Sequence, residues 1–107
     1  MKKIINMIKG DTLSFTFEIE NFTEELDTCY FSCKKDVTDN NYIFQKSLNN
    51  GITKIDTGKY KVRVAPEDTK NVLIGNYQYD LQIGINNDIY TIMNGLLTIE
   101  QEITEES

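Results

Sequence analysis

A chain of 107 residues, 39% apolar and 10% aromatic, reads as one domain, able to bury roughly two-thirds of its unfolded surface. Its net charge of −6 disfavours a nucleic-acid phosphate backbone or an anionic membrane as partner, and no apolar run approaches the ~20 residues of a membrane span. Ala65 is the sole alanine against fourteen isoleucines, a balance that favours strands over helices.

Met1-Lys2-Lys3 followed by Ile4-Ile5-Asn6-Met7-Ile8 imitates the start of a signal peptide. The apolar run is broken at Asn6, ends at Lys9-Gly10-Asp11 and lacks a cleavage site, so synthesis in the cytoplasm without secretion by this route is expected. Lys3 to Ile8 fits a first strand. Leu13, Phe15, Phe17 and Ile19 alternate with polar residues and give a second, one face in a core and the other in water. Asn21 to Asp27 is an acidic loop, and Thr28 to Lys34 a third strand.

Cys29 and Cys33 lie four residues apart in that strand, a separation of roughly 13 Å that exceeds the reach of a disulfide. They should share the inner face with Phe31 as small buried hydrophobes. A zinc half-site would need two further ligands, and the chain contains no histidine.

Asp36-Val37-Thr38-Asp39-Asn40-Asn41 is a polar loop of turn formers. It lacks the spaced acidic ligands and glycine of a calcium loop. Tyr42 to Leu48 follows as a fourth strand, expected at an edge. Asn49-Asn50-Gly51 signals a turn, then a short strand runs over Ile52 to Ile55. Asp56-Thr57-Gly58 turns into a strand with Tyr60, Val62 and Val64 on one face. Pro66 suits the first position of a short helical turn near residues 66–73, with Glu67 and Asp68 at its positive end.

From Tyr77 to Ile85 the odd positions are Tyr, Tyr, Leu, Ile and Ile, and the even ones Gln, Asp, Gln and Gly. A two-residue loop at Asn86-Asn87 then pairs Ile83 with Tyr90, which puts Tyr90 and Ile92 on the core face. Leu97 and Ile99 should also face inward, and the odd step from 92 to 97 requires a reset of parity. A bulge at Asn94-Gly95 supplies it; a second tight hairpin there is the alternative. Glu100, Glu102, Glu105 and Glu106 make an acidic tail, leaving −6 + 4 = −2 on the remainder; a solvated end is the plain reading. Seven to nine short strands with no repeat and no long helix predict an antiparallel two-sheet sandwich over residues 1–99, with a small barrel second.

Two resemblances attach to these residues. Gly75-Asn76-Tyr77 resembles the tyrosine corner of immunoglobulin-type sandwiches, in which the hydroxyl bonds back to the upstream backbone. Leu73 replaces the usual acidic residue, Tyr79 stands where antibody domains carry cysteine, and tryptophan is absent. The chain also resembles tailed-phage and prophage immunoglobulin-like structural proteins, similar to the amino-terminal module of the phage baseplate upper protein family. The shared pattern is Gly10-Asp11-Thr12 with Phe15 and Phe17, then Gly58-Lys59-Tyr60-Lys61-Val62 and Pro66-Glu67-Asp68-Thr69. It closes with Gly75, Tyr77, Tyr79-Asp80-Leu81-Gln82-Ile83 and Tyr90-Thr91-Ile92-Met93-Asn94-Gly95. These motifs keep their order over most of residues 8 to 104; Cys29 to Asn50 matches least. The resemblance implies a virion tail or baseplate component, non-enzymatic, whose partners are other phage structural proteins and, as an option, further copies of itself.

Catalytic, cofactor and metal residues are all read as none. The carboxylate pairs Glu24-Glu25, Glu67-Asp68 and Glu105-Glu106 are sequence neighbours in loops, a poor arrangement for convergence on one bond. Absent histidine and a glycine frame around any serine remove Ser–His catalysis, and no glycine-rich phosphate loop occurs. Tyr60, Tyr77, Tyr79 and Tyr90 fall on predicted core faces. Tyr30 and Tyr42 are the surface candidates, and with the 36–41 loop they support an alternative reading as a carbohydrate-binding module. Net charge alone supports another, an acidic inhibitor of a basic partner. Asp80, mid-strand on an outer face, is either a solvated residue or part of a docking surface.

Overall fold

Among the described residues, eight strands and one helical turn carry the chain. In order they are β1 (Ile5–Ile8), β2 (Leu13–Glu18), β3 (Thr28–Lys34), β4 (Phe44–Leu48), β5 (Gly51–Asp56) and β6 (Lys59–Val64), then α1 (Pro66–Thr69), β7 (Gly75–Ile85) and β8 (Asp88–Glu100). The structure is a computed structural model and describes residues 4–20, 22–36 and 38–101. Lys3, Asn21, Val37 and the acidic tail beyond Gln101 lie outside the described residues.

Hydrogen bonding runs β1-β8-β7-β3-β4-β5-β6-β2. Phe15 of β2 nevertheless meets Phe31 of β3 edge-to-face, with ring centroids 5.3 Å apart. Strands so far separated in the ladder can touch only if the sheet doubles over. The fold occurs at β4–β5, which are linked through just two residue pairs, Ser47↔Gly51 and Leu48↔Ile52. The result is a sandwich with β1-β8-β7-β3-β4 in one layer and β5-β6-β2 in the other. All pairings are antiparallel except β4–β5 and β1–β8.

The period-two pattern explains the core. Cys29, Phe31 and Cys33, together with Tyr77, Tyr79, Leu81 and Ile83, turn inward from one layer, and Tyr60, Val62 and Val64 from the other. Phe31 is completely buried and lies 5.8 Å from Phe44 and 5.7 Å from Tyr79. Phe15, Phe31 and Tyr79 thus pack ring against ring in the core, in a chain with neither the tryptophan nor the disulfide around which antibody domains build theirs. The two thiols are free, and burial pushes both up to about 12.

The corner before β7 forms as the sequence suggests. The Tyr77 hydroxyl donates to the Leu73 carbonyl. Before it, Asp68 Oδ2 accepts the Ala65 N–H at 2.7 Å, the carboxylate half of a capping box, since alanine has no side-chain acceptor. The same oxygen lies 2.7 Å from Lys46 Nζ and ties α1 to β4. The fully buried Thr69 accepts the Gly10 N–H at 3.1 Å, fixing the β1–β2 turn to the same corner.

Three expectations need correction. β4 is not a free edge strand, because β3 flanks it on one side and β5 meets it on the other; the linking pairs lie only four residues apart across the Asn49-Asn50 turn, where the sequence signals a turn and not a bridge between strands. The Asn86-Asn87 turn is present, with φ of 51° and 72° as a type I′ hairpin requires, and Ile83 pairs with Tyr90. Yet Tyr90 is 50% exposed. β1 covers β8 only from Leu97 to Glu100, so Tyr90 stands at an uncovered margin. The bulge exists, but at Ile92 and not at Asn94-Gly95: Leu81 faces Met93 while Gln82 faces Thr91. Parity is therefore reset two residues early, and Leu97 and Ile99 are buried as expected.

Candidate functional site: the outer face of the five-stranded layer

With alternate residues committed to the core, their neighbours must point outward. The register then sets Gln45, Ser32, Asp80 and Asn94 side by side across β4, β3, β7 and β8. At the spacing of neighbouring strands this row is about 14 Å across. A second row holds Ser47, Tyr30, Gln82 and Thr91. On the other flank, Lys34, Gln78 and Leu96 form a third.

The bulge at Ile92 decides the chemistry of this face. Thr91 faces Gln82 before it and Asn94 faces Asp80 after it. Without the extra residue Asn94 would fall on the inner side, because a one-residue slip exchanges the faces of a strand. The bulge therefore delivers an amide to the side of a carboxylate.

Asn94 Oδ1 is buried and has no hydrogen-bond partner among the described residues. A buried acceptor left unmade costs about 1–3 kcal/mol. Burial holds the Asp80 carboxyl above the usual carboxylate range, while the charge of Lys34 pulls it down. The Lys34 ammonium itself donates to the Asp39 carbonyl at 2.8 Å and sits 4.9 Å over the Tyr42 ring. Gln45 Nε2 donates to Ser32 Oγ at 3.0 Å, and Gln82 Nε2 to Thr91 Oγ1 at 3.4 Å. A hollow of about 1370 Å³ opens above these rows, and the exposed Tyr30, Tyr42, Leu96 and Ile4 line it.

The two surface tyrosines singled out in the sequence thus share one hollow with Asp80. The 36–41 loop turns its carboxylates onto itself: the Asp36 N–H donates to Asp39 Oδ2 at 3.1 Å, and the Thr38 N–H to Asp36 Oδ1 at 3.3 Å. The adjacent carboxylates separate. Glu24 accepts from the Asn86 amide at 3.4 Å, Glu25 pairs with Lys54, Glu67 is exposed and Asp68 caps α1. Among the described residues no three cysteine, aspartate or glutamate side chains gather as metal ligands. No helix among them is long and apolar enough to cross a membrane. Sequence reasoning missed Asn94, Ser32 and Gln45; the outward phase of β3 and β7 was the available signal for Ser32, but Asn94 depended on the position of the bulge.

A second exposed feature lies beside this face. From Asp88 to Leu96, β8 pairs with β7 on one side and with no strand on the other among the described residues. Ile89 and Tyr90, 61% and 50% exposed, lie along that free edge.

No family model matches the chain, and no curated protein matches it. Solved structures do. The extracellular domain of mouse leukocyte-associated immunoglobulin-like receptor 1, solved as a strand-swapped dimer, superposes with a TM-score of 0.56. The identity is 8%, over 91% of this chain and 87% of that one. A second structure, of the same receptor's immunoglobulin-like domain, gives 0.54 at 9% identity over 92% and 88%. A putative glycoside hydrolase from Bacteroides vulgatus gives 0.51 at 11% identity, over 92% of this chain but only 16% of that one. At such identities the likeness concerns fold alone, and with the strand order and the tyrosine corner it gives the architecture: an immunoglobulin-like β-sandwich.

Proposed function

We propose that this chain is a non-enzymatic contact domain of a phage or prophage virion, a tail or baseplate component that works by binding other proteins. The observation that carries the reading is the stretch of β8 from Asp88 to Leu96, which has no second strand beside it among the described residues, with Ile89 and Tyr90 exposed along it. An open edge of that length offers backbone donors and acceptors to a further strand. The ordered phage-like motifs support it, for they fall on the parts that build this fold: the Gly58 turn, the Asp68 cap, the Tyr77 corner and the Asp80–Asn94 pair. The mouse receptor domain, described as a strand-swapped dimer, offers a precedent for self-association of a sandwich of this shape.

The test is mass spectrometry of purified phage or tail particles induced from the source organism, with light scattering of the pure protein alongside. Fixed stoichiometry in the particle is expected. Absence from the particle, combined with a monomer at high concentration that joins no purified tail part, would sink the proposal.

A further inference from the structure

We infer that the hollow over the Gln45–Ser32–Asp80–Asn94 row is a binding site for a neutral, polyhydroxylated ligand, a saccharide. This goes beyond the virion reading and stands without it. The Asp80 carboxyl group lies in the lining of the hollow and has no ion pair within 4 Å among the described residues; opposite it stands Asn94, whose Oδ1 is closed off from solvent and has no partner among them. A ring hydroxyl above the row presents a donor to that carboxylate.

The protein's own donors decide between ligand classes. Ser32 Oγ and Thr91 Oγ1 each accept from a glutamine amide, which leaves their hydroxyl protons to be given away. A sugar hydroxyl both donates and accepts, so a saccharide can answer Asp80 as well as Ser32 and Thr91. A guanidinium or ammonium only donates; it would meet those hydroxyl protons and the Lys34 charge in the same hollow. Lys34 and Asp80 are the charged residues of the lining and cancel, so the face is neutral in a chain of net charge −6. Tyr30 and Tyr42, 38% and 48% exposed, supply flat apolar surface for the C–H face of a ring, and the Lys34 ammonium over Tyr42 holds one of them in place.

The experiment titrates the ¹⁵N-labelled chain with D-glucose, D-galactose, N-acetyl-D-glucosamine, L-rhamnose and maltotriose, following backbone amide shifts. Saturable shifts confined to the outer rows of β3, β7 and β8 are expected for at least one sugar. Asp80→Asn should weaken that binding about ten- to a hundred-fold, the range for a hydrogen bond to a charged group, and the exposed Tyr42→Ala should weaken it as well. Lys61→Ala, exposed on β6 of the other layer, should leave it unchanged. The inference is overturned by no saturable shift with any of these sugars up to tens of millimolar, by shifts mapping elsewhere, or by unchanged affinity in the folded variants.

Discussion

Replacing Tyr77 with phenylalanine tests the corner on which the whole register of β7 depends. The side chain is 4% exposed, and its hydroxyl donates to the Leu73 carbonyl four residues upstream. Phenylalanine keeps the ring, including its place 4.9 Å beneath the Lys35 ammonium, so the change removes one hydroxyl and opens little volume. A net hydrogen bond is worth about 1 ± 0.5 kcal/mol, and stranding its acceptor adds to that when the acceptor is dry. The bond is only partly buried, so the penalty for stranding the carbonyl should be small and the loss should stay near about 1 kcal/mol. With an unfolding entropy of about 2.1 cal/mol/K per residue, 107 residues give about 0.22 kcal/mol/K, and 1 kcal/mol becomes a fall in Tm of about 4–5 °C. Calorimetry or near-ultraviolet melting of the two proteins would measure it. An unchanged Tm would show that the hydroxyl is answered equally well by water and that the corner does not anchor β7.

Other substitutions probe other parts of the argument. Asp68→Ala removes both the cap on Ala65 and the partner of Lys46; a loss of about 1–3 kcal/mol is expected, and a double-mutant cycle with Lys46→Met should show coupling, whereas strict additivity would deny the link between α1 and β4. Cys29 and Cys33 should resist a thiol reagent at pH 8 in the folded protein and both react in denaturant; fast labelling of the native chain would contradict their burial. Because burial pushes the folded thiols up to about 12, well above an ordinary thiol, the unfolded chain loses its thiol protons first, and stability should fall as pH rises from the ordinary thiol range toward 12. For Asp80, burial raises the folded pKa, so its contribution is present at acid pH and lost as pH rises through the folded value; Asp80→Asn should raise Tm at pH 7 more than at pH 3, and equal effects would refute it. Gly84→Ala would bring a Cβ within 2.3 Å of Thr28 Oγ1, and urea titration should register a loss of about 1–3 kcal/mol; no loss would mean that Thr28 swings aside freely.

The strands were legible because each carries its own evidence. Tyr77 to Ile85 states which side is dry at every second residue, and Asn86-Asn87 names its turn by tolerating left-handed backbone at both positions. Faces of single strands could therefore be read, and so could the Tyr77 hydroxyl, whose acceptor lies only four residues away. What escaped is how one strand is set against the next. Asn49-Asn50-Gly51 announces a turn, but not that Ser47 and Leu48 bridge Gly51 and Ile52 across it. The parity reset was required by the pattern, yet Gly95 drew it to the wrong place, because glycine marks where left-handed backbone is cheap and not where two ladders disagree. That error hid the candidate site, since the pairing of Asn94 with Asp80 follows only once the extra residue is at Ile92.

The parallel pairing of β1 with β8, Ile5↔Leu97 through Ile8↔Glu100 and extended by the bond from the Lys9 N–H to the Glu100 carbonyl at 2.9 Å, has a mechanical consequence. Tension that enters ahead of Ile5 and leaves after Glu100 pulls two parallel strands past each other along their length. Every bond of the ladder is then loaded together, in shear, and none can be peeled off before the next. An antiparallel pair tugged from adjacent ends would open like a zip, one bond at a time. The first and last strands of this sandwich therefore form a clasp that resists stretching along the axis joining its ends.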